Sequence, residues 1–511
     1  MSGAPRKLNL FIDGAWRESQ TTRYMDCFDP STGEVIARAP QCTAEEVEAA
    51  VRAAQKAFPA WADTPANTRV QVLFRMKALL DQHLDELTLL LARENGKVLN
   101  EAMGDVLKVT EVVEFACGIP HLMKGPALMN CTKGFDTTQY LEPLGVFAGI
   151  APWNFPAMIP MGWMAPLCVA TGNTLVLKAA SYTPQTSMRI LELWQEAGLP
   201  KGVINLITCG RGEAELLLRH PAVKGVSFVG STSVGMHVYA TAAASGKRVQ
   251  ALTEAKNHAL VLQDCALERT ARGIINAACG CAGERCMALP SVVVEEAIAD
   301  RLVELLKTFM LDLKVGPAYD QNSQLGPLVN AEHRKFVMEW IHRGRDEGAK
   351  LILDGRGVVV SGFEQGFYLG PTLFDHVRPG MSVGDQEIFG PVLCVKRVKD
   401  FEEGLSLMNG NEFANGSVIY TQSGYHAREF VRRSHGGMVG VNVGIPVPLG
   451  VFGFTGHKNS FFGDLHAMGT DGVRFFTELK SVTTHWFADA EAGGGVANSW
   501  DGMITMPDDK R

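Results

Sequence analysis

The sequence of 511 residues has few charges for its length and no basic region. Charged residues make up 20% of the chain and the net charge is −7, with no stripe of Lys and Arg to neutralise phosphates. This balance argues against a nucleic-acid partner. Hydrophobic residues make up 46% of the chain. Large buried cores and roughly two or three domains are therefore expected.

Long apolar runs are missing as well. A membrane-spanning helix needs about 18 apolar residues in succession. The closest candidate, residues 158–170, is shorter and contains Pro160 and Pro166. The first 20 residues carry Arg6 and Lys7 but lack the apolar core of a secretory signal. We therefore expect no membrane partner and a cytoplasmic location.

Paired cysteine motifs are missing too. The 11 cysteines are scattered and odd in number, which favours reduced thiols over a disulfide framework. Cys279, Cys281 and Cys286 lie close together, but no second Cys-x-x-Cys or His-x-x-x-His pair completes a tetrahedral zinc site. The sequence therefore predicts no metal site.

Cys286 is nevertheless the strongest candidate for a nucleophile. It follows Arg285, whose permanent charge stabilises a neighbouring thiolate, the form that attacks carbonyl carbon. The preceding apolar pattern predicts a helix with Asp264 as a possible N-cap and an end at Gly280, which leaves Cys286 on a loop. A buried, unreactive cysteine is the alternative.

The first part of the chain shows a hairpin and several helices. Apolar residues flank an Asp-Gly turn at 11–16, which predicts a β-hairpin. Thr43 and Glu46 form a capping box before residues with helical apolar spacing. Further helical patterns cover 69–95 and 97–117. The chain is thus expected to begin with a hairpin followed by mainly helical structure.

Short apolar runs then alternate with helical stretches, which is typical of a doubly wound α/β unit. Four runs have the character of buried parallel strands: 175–177, 203–207, 226–229 and 259–262. Predicted helices cover 185–197, 213–219 and 234–245. Ligands of such sheets lie beyond the carboxyl ends of strands, where Lys178 and the Gly-Ser-Thr turn at 230–232 fall. This turn offers N–H groups to a phosphate. It is not the Gly-x-Gly-x-x-Gly fingerprint, so a turn without a ligand is the alternative.

Asn154 lies between Pro152 and Pro156, which restrict the backbone on either side. Its side-chain N–H, paired with the backbone N–H of a nucleophile, would stabilise the oxyanion that forms when a thiolate adds to a carbonyl. An ordinary turn residue is the alternative.

Five ordered stretches resemble the aldehyde dehydrogenase superfamily, over about residues 8–487. They are 152–156 (Pro-Trp-Asn-Phe-Pro), 177–178 (Leu-Lys), 228–235, 283–286 (Gly-Glu-Arg-Cys) and 387–392 (Glu-Ile-Phe-Gly-Pro-Val). The resemblance implies an α/β fold of the aldehyde dehydrogenase type. Its implied parts are a Rossmann-like NAD-binding domain at 8–128 and 146–252, an α/β catalytic domain at 253–452, and a β-strand oligomerisation arm at 129–145 and 477–487. The arm implies a homodimer or homotetramer.

The resemblance also assigns site residues. It implies Cys286 as nucleophile and Asn154 as oxyanion donor. The implied cofactor-binding set is Trp153, Lys178, Ser181, Gly230, Ser231, Gly235, Leu252, Glu387 and Phe389. Within that set, Glu387 and Phe389 are expected near the nicotinamide ribose. Residues 488–511, with three consecutive glycines and a polar end, are expected to form a flexible tail.

The residue at position 252 distinguishes superfamily members that hydrolyse their thioester from members that transfer the acyl group to coenzyme A. Superfamily enzymes that hydrolyse their thioester carry a Glu there to activate water, whereas Leu252 cannot accept a proton. Coenzyme A needs less activation, because part of a thiol is already thiolate near neutral pH. This departure resembles the methylmalonate-semialdehyde dehydrogenases, which form acyl-CoA. So do the stretches 255–258, 283–288, 441–450 and 461–466.

The resemblance to that family implies a reaction. A semialdehyde, either methylmalonate or malonate semialdehyde, would be oxidised by NAD on Cys286 and would lose CO2. Coenzyme A would then take the propionyl or acetyl group. Arg285 is the candidate clamp for the substrate carboxylate, with a structural ion pair as the alternative. The two substrates differ by one methyl group, so the choice between them stays open.

Two further alternatives and the cofactor choice stay open. If Glu254 reached the thioester, the enzyme would be a hydrolytic, NAD(P)-dependent aldehyde dehydrogenase. A catalytically silent binding protein on the same fold is the other alternative. Residues 179–184 lack the acidic residue that accepts the ribose hydroxyls in many members, and no Arg stands nearby to attract a 2′-phosphate. We therefore expect NAD, with NADP possible.

Overall fold

The computed structural model describes residues 5–486, and its largest sheet has eight strands. In spatial order these are Phe461–Gly463, Arg248–Leu252, Val223–Val229, Val146–Ile150, Thr174–Lys178, Ile204–Ile207, Leu10–Ile12 and Ala15–Arg17. The five strands from Arg248–Leu252 to Ile204–Ile207 run parallel, and the strands outside them are antiparallel. Leu175 and Leu177 belong to one apolar core and Val176 to another, so both faces of the sheet are buried.

Helices cover both faces of this sheet. One face packs against Ala44–Asp63, Arg211–Arg219 and Thr232–Ala244. The other core contains Ala66–Gln82, Leu84–Asn95, Leu99–Cys117, Ile119–Leu122, the π-helical turn Met158–Met164, Ala165–Ala170, Gln185–Glu196 and Gly469–Phe475. None of the helices within residues 5–486 has the length and apolar character needed to span a bilayer.

The hairpin and the capping box are confirmed. Leu10–Ile12 pairs antiparallel with Ala15–Arg17, and Thr43 and Glu46 exchange hydrogen bonds at the start of their helix. The helical pattern over 69–95 is confirmed, and the structure divides it into two helices, because the backbone of His83 leaves helical geometry. The apolar spacing continues across this one-residue break and therefore conceals it.

A second sheet has seven strands. In spatial order they are Lys350–Leu353, Thr372–Asp375, Val392–Val398, Ser291–Glu295, His258–Val261, Gly416–Tyr420 and Met438–Val441. All neighbours are parallel except the first pair. The helices of this part are Leu267–Cys279, Glu296–Leu311, Ala331–Asp346, Ser382–Asp385, Phe401–Asn409 and Gly424–Arg433, with short 3₁₀ turns at Gly280–Gly283 and Gly355–Gly357.

The strand predicted at 259–262 belongs to this second sheet and not to the first, which corrects the sequence interpretation. Leu252 ends an outer parallel strand of the first sheet, and His258 begins an inner strand of the second, between Ser291–Glu295 and Gly416–Tyr420. Residues 253–257 connect the two sheets. Apolar periodicity identifies a strand but does not specify which strands it pairs with.

Asp264 does not cap the helix Leu267–Cys279, contrary to the sequence interpretation. Ala266 occupies the N-cap position without a side-chain bond. The Asp264 carboxylate instead accepts a hydrogen bond from the Thr421 hydroxyl at 2.8 Å. A partner distant in sequence therefore overrides the local capping preference, while the predicted end of the helix at Gly280 is confirmed.

Three smaller sheets complete the fold. One is antiparallel and consists of Thr477–His485, Phe135–Pro143 and Ala127–Thr132; the others pair Arg6–Lys7, Glu34–Pro40 and Tyr24–Asp29, and Phe413–Ala414 with His457–Lys458. The first exposes the apolar side chains of Leu128, Met129 and Leu479. The tail predicted at 488–511 lies outside the described residues.

Candidate active site

The nucleophile loop, residues 280–286, follows the helix Leu267–Cys279 and has an unusual backbone. Cys281, Ala282 and Gly283 have φ values of 50°, 52° and 74°, so three successive residues are left-handed. A Cβ added at Gly283 would lie 2.1 Å from the carbonyl oxygen of Gly390. Glycine is therefore required at this position both by conformation and by the close approach of the segment that contains Glu387.

Cys286 is half-buried at the end of this loop. Its carbonyl oxygen accepts hydrogen bonds from the Asn257 and Asn415 side-chain amides at 2.9 and 3.1 Å. Each amide directly precedes a strand of the second sheet, His258–Val261 or Gly416–Tyr420, so the backbone of Cys286 is fixed to that sheet. The loop therefore presents its thiol from a firmly held main chain.

Burial, followed by the charge of Glu387, raises the pKa of the Cys286 thiol to about 12. The backbone N–H groups of Cys286 and Met287 and the charge of Lys97 act in the opposite direction on this pKa. Lys97 was not anticipated from the sequence. The protein therefore holds Cys286 mainly as a thiol at neutral pH, with anion-stabilising groups already in place.

Asn154 is buried and lies against the nucleophile loop. Its side-chain amide donates a hydrogen bond of 3.1 Å to the carbonyl oxygen of Glu284. The carbonyl of the preceding Trp153 accepts hydrogen bonds from Asn95 at 3.0 Å and from the Thr183 hydroxyl at 2.9 Å. The structure thus brings Asn154 next to the loop of Cys286, although 130 positions separate Asn154 from Glu284 in the sequence.

Glu387 and Phe389 lie on the segment that packs against the nucleophile loop. The Glu387 carboxylate accepts the N–H of Ala255 at 3.1 Å. Burial and the charge of Glu254 raise the pKa of Glu387 to about 8. Phe389 has a left-handed backbone, with φ of 62°, and its ring stands perpendicular to that of Trp153 at 5.5 Å. Trp153 and Phe389 are thus in contact, and Glu387 lies on the same segment as Phe389; their contact with the cofactor stays a prediction.

A cavity of about 540 Å³ opens at the carboxyl ends of the parallel strands of the first sheet. Five residues of the expected cofactor set line it: Trp153, Lys178, Ser181, Gly230 and Ser231. A cation, a hydroxyl group and the backbone N–H groups of a helix start suit a nucleotide with its phosphates. Arg211 also lines the cavity, which corrects the expectation that no Arg stands nearby.

Gly235 and Leu252 support the turn at 230–232 and do not line the cavity. A Cβ at Gly235 would lie 2.2 Å from Cγ2 of Thr253, so glycine lets the helix Thr232–Ala244 approach this segment. The carbonyl of Leu252 accepts the N–H of Gly230 at 3.1 Å. The Leu252 side chain is buried in the same apolar core against which Cys286 packs, so position 252 offers no side-chain base.

Glu254 lies on the cofactor side of the site. Its carboxylate accepts the N–H of Thr232 at 2.9 Å, at the first residue of the helix Thr232–Ala244. A carboxylate is stabilised there by the positive end of the helix dipole. Glu254 is therefore held at the turn expected to bind a phosphate.

Arg285 forms the structural ion pair that the sequence left as the alternative to a substrate clamp. Its Nη2 lies 3.0 Å from the Glu101 carboxylate, and its Nε lies 3.0 Å from Sγ of Cys281. Its role toward a substrate stays a prediction. Within residues 5–486, no group of three or more His, Cys, Asp or Glu side chains is arranged to hold a metal ion.

The sequence interpretation missed the residues that surround the motifs. Lys97, Glu101 and Arg211 belong to no recognised stretch, and charged side chains normally lie at the surface. Asn257 was noted only as part of a matching stretch, without a role. Only the three-dimensional arrangement identifies these residues: Lys97, Glu101 and Asn257 contact segments remote in sequence, and Arg211 lines the cavity.

Comparison with known proteins identifies the family to which the chain belongs. The sequence profile of the aldehyde dehydrogenase family matches residues 16–482. The chain belongs to the aldehyde dehydrogenase family, so the resemblance and the α/β fold class predicted from the sequence are confirmed.

Within this family, the chain is similar to enzymes that are named for semialdehyde substrates. The chain is 47% identical to malonate-semialdehyde dehydrogenase 2 of Geobacillus thermodenitrificans, over 94% of this chain and 99% of that protein. The crystal structure of methylmalonate-semialdehyde dehydrogenase from Oceanimonas doudoroffii is similar with a TM-score of 0.93 and 42% identity, over 95% of this chain and all of that one. A Sinorhizobium meliloti protein described as a methylmalonate-semialdehyde dehydrogenase has been crystallised with NAD. Its structure is similar with a TM-score of 0.94 and 41% identity, over 96% of this chain and 100% of that one.

Proposed function

We propose that this protein oxidises malonate semialdehyde or methylmalonate semialdehyde with NAD and transfers the decarboxylated acyl group to coenzyme A. The observation that carries the proposal is the site itself: Cys286 beside Asn154, with the buried Leu252 where a water-activating base would stand. The names of the relatives support a semialdehyde as the substrate class.

The chemistry begins when Cys286 loses its proton, which the N–H groups of Cys286 and Met287 favour. The thiolate adds to the aldehyde carbon and forms an oxyanion. One N–H of the Asn154 amide bonds to Glu284, and the second is the proposed oxyanion donor, together with the backbone N–H of Cys286. Bound NAD supplies the hydride acceptor. Loss of hydride leaves an acyl thioester on Cys286.

The substrate carboxylate then departs as CO2. Its electron pair passes to the thioester carbonyl as an enolate, which takes up a proton. Leu252 cannot activate water, and Glu254 is bonded to Thr232, so the thioester persists until the thiol of coenzyme A attacks it. Propionyl-CoA or acetyl-CoA leaves and the thiol of Cys286 is regenerated.

Product analysis with and without coenzyme A tests this function. We expect acyl-CoA and NADH with coenzyme A, and little free acid without it. The variant Leu252→Glu is the matched control, since it should produce free acid without coenzyme A. Free acid formed at full rate by the wild type would contradict acyl transfer; loss of that acid in Glu254→Gln would identify Glu254 as the base. Failure to form NADH from either semialdehyde, with or without coenzyme A, would instead support a catalytically silent binding protein.

Arg285 is the proposed clamp for the substrate carboxylate. Its contacts with Glu101 and Cys281 use Nη2 and Nε, which leaves Nη1 as the proposed donor to a carboxylate. We expect Arg285→Leu to lower kcat/KM for the semialdehyde at least tenfold more than for propanal, which has no carboxylate. Equal losses on both substrates would eliminate the clamp and leave the ion pair as the role of Arg285.

We further propose that NAD is the cofactor and that NADP is tolerated. Ser181 stands where many members carry an acidic residue, and its hydroxyl oxygen accepts a hydrogen bond from Gln41 at 3.0 Å. Arg211 and Lys178 line the same cavity. Calorimetry with 5′-AMP and 2′,5′-ADP tests this directly. We expect similar affinities for the wild type and selective loss of 2′,5′-ADP binding in Ser181→Glu; no detectable binding of 2′,5′-ADP by the wild type would restrict the cofactor to NAD.

The exposed sheet of Thr477–His485, Phe135–Pro143 and Ala127–Thr132 is the proposed oligomerisation arm. Its exposed apolar side chains, including Met129 with 81% of its surface accessible, suit contact with a second copy of the chain. The molar mass from light scattering should correspond to a dimer or tetramer. The double variant Met129→Lys, Leu479→Lys should lower that mass towards the monomer. An unchanged mass would argue against this arm.

A further inference from the structure

A buried ion pair lies next to the candidate active site. Nζ of Lys97 is 2.7 Å from Oδ2 of Asp105, and the two side chains are 2% and 0% exposed. Removing two charges from water is costly, and apolar side chains of similar volume often stabilise a fold at least as well. The specific contacts of the pair, and not its burial alone, are therefore informative.

Both members of the pair contact the segment that carries Asn154. The second carboxylate oxygen of Asp105 accepts the N–H of Met158 at 2.7 Å. The ammonium of Lys97 lies 3.4 Å from the centre of the Phe155 ring, in a cation–π contact. The pair thus holds the chain immediately after Asn154 at two points.

The same helix also holds the nucleophile loop. Glu101 precedes Asp105 by one turn in the helix Leu99–Cys117, so both carboxylates lie on one helix face. Glu101 accepts the N–H of Cys281 at 2.7 Å and the Nη2–H of Arg285 at 3.0 Å. One helix face therefore determines the position of the Asn154 segment relative to the loop of Cys286.

The charge of Lys97 reaches the reacting groups. Among the charged groups that face Cys286, Glu387 raises the pKa of the thiol after burial, whereas Lys97 lowers it. Arg285 faces the thiol as well, although its side chain is engaged by Glu101 and Cys281. Lys97 also opposes the rise that burial causes in the pKa of Glu284.

We infer that Lys97 and Asp105 are positioning residues, which hold the Asn154 oxyanion donor against the nucleophile loop and supply positive charge where the thiolate and the oxyanion form. The inference rests on the proposed roles of Cys286 and Asn154. It assigns to the pair a function that none of the recognised sequence motifs contains.

Alkylation of Cys286 in the free protein is the first test. Iodoacetamide reacts with the thiolate, so its rate at fixed pH reports the fraction of thiolate without substrate, cofactor or coenzyme A. Removal of the Lys97 charge in Lys97→Gln should lower the rate at pH 8 about tenfold, which corresponds to about one unit of thiol pKa. Lys97→Arg should stay within about threefold of the wild type, because the charge is kept. Lys77→Gln, in an exposed pair with Asp81, is the matched control and should change nothing.

Turnover of propanal is the second test. Asp105→Asn keeps an oxygen that can accept the Met158 N–H but removes the charge that anchors Lys97. We expect kcat to fall about tenfold with KM within twofold, since an oxyanion donor acts mainly in the transition state. Thermal unfolding of each variant, followed by circular dichroism, separates this effect from loss of the fold.

The two tests together decide the inference. A wild-type alkylation rate in Lys97→Gln, or equal losses in Lys97→Arg and Lys97→Gln accompanied by a lowered Tm, would reduce the pair to a structural role. If Lys97→Gln does not fold, the rate of Cys286 alkylation and kcat for propanal are measured in Asp105→Asn and Lys97→Arg. An altered alkylation rate in a protein that forms no acyl-CoA would support the pair while rejecting the proposed substrate chemistry.

Discussion

The two functional loops of this protein are held in opposite ways. The turn at 230–232 is held by the neighbouring residues 252–254: Gly230 donates to the carbonyl of Leu252, and Thr232 donates to the Glu254 carboxylate. The nucleophile loop is left-handed at three successive residues and depends on side chains from elsewhere, namely Glu101, Asn154 and Asn257. The turn proposed to bind the cofactor thus depends on one neighbouring segment, whereas the loop proposed to carry the nucleophile is positioned by side chains from three separate segments.

Loss of Asn154 should have the largest effect and should be confined to the nucleophile side. Asn154→Ala removes the proposed oxyanion donor, so kcat should fall about 10²- to 10³-fold, the usual effect of such a deletion. Steady-state NADH formation measures kcat, and calorimetric titration with NAD should give an unchanged Kd. A loss of less than about threefold would mean that Asn154 only supports the loop through Glu284.

The contrast between local and remote contacts also explains which residues could be predicted from the sequence. Cys286, Asn154 and Lys178 stand in short motifs whose chemistry is local, and the strands and helices from residue 174 to 245 follow clear apolar patterns. Lys97 and Asp105 gave no signal, because the segment that they contact, at Phe155 and Met158, is distant in sequence and a buried lysine is rare. The misplaced strand at 259–262 and the cap assigned to Asp264 failed for the same reason, since long-range pairing decided both.

Alanine substitution of one glycine in each loop, Gly283 and Gly230, should affect the two loops differently. Gly283→Ala places a methyl group against the backbone oxygen of Gly390, at a left-handed residue, and should lower kcat about 100-fold by displacing Cys286. Gly230→Ala meets the ring of Phe228 at 2.6 Å, a side chain that is able to shift. It should cost less than about tenfold, mainly in KM for NAD. Equal losses in the two variants would mean that the two loops tolerate an added Cβ equally.

The pH dependence of Cys286 alkylation should sharpen the electrostatic side of the comparison. Because the thiol pKa is raised to about 12, the rate should rise with pH throughout pH 7–10, by up to about tenfold per unit. Glu387, whose pKa is about 8, is mostly neutral below that pH and mostly charged above it. Glu387→Gln should therefore accelerate alkylation above pH 8 and have little effect below pH 7. A plateau in the wild type near pH 8 would contradict the raised thiol pKa.

The smallest effect should come from Glu254, on the cofactor side. Its carboxylate occupies the helix start at Thr232, where a phosphate would be bound. Glu254→Gln removes one negative charge, so KM for NAD should fall about two- to fivefold while the helix loses up to about 1 kcal/mol of stability. Steady-state titration of NAD and the change in Tm check both expectations. Weaker binding of NAD would show that Glu254 assists the cofactor.

The protonated state of Cys286 has a consequence for oxidative damage. Peroxide converts cysteine to sulfenic acid through the thiolate, so a thiol with a pKa raised to about 12 by burial and by Glu387 reacts slowly at neutral pH. The resting protein should therefore keep its activity in hydrogen peroxide far longer than a protein with an exposed, charge-stabilised thiolate. The same half-buried position that raises the thiol pKa is therefore expected to protect Cys286 from peroxide, which the activity remaining after peroxide treatment would measure.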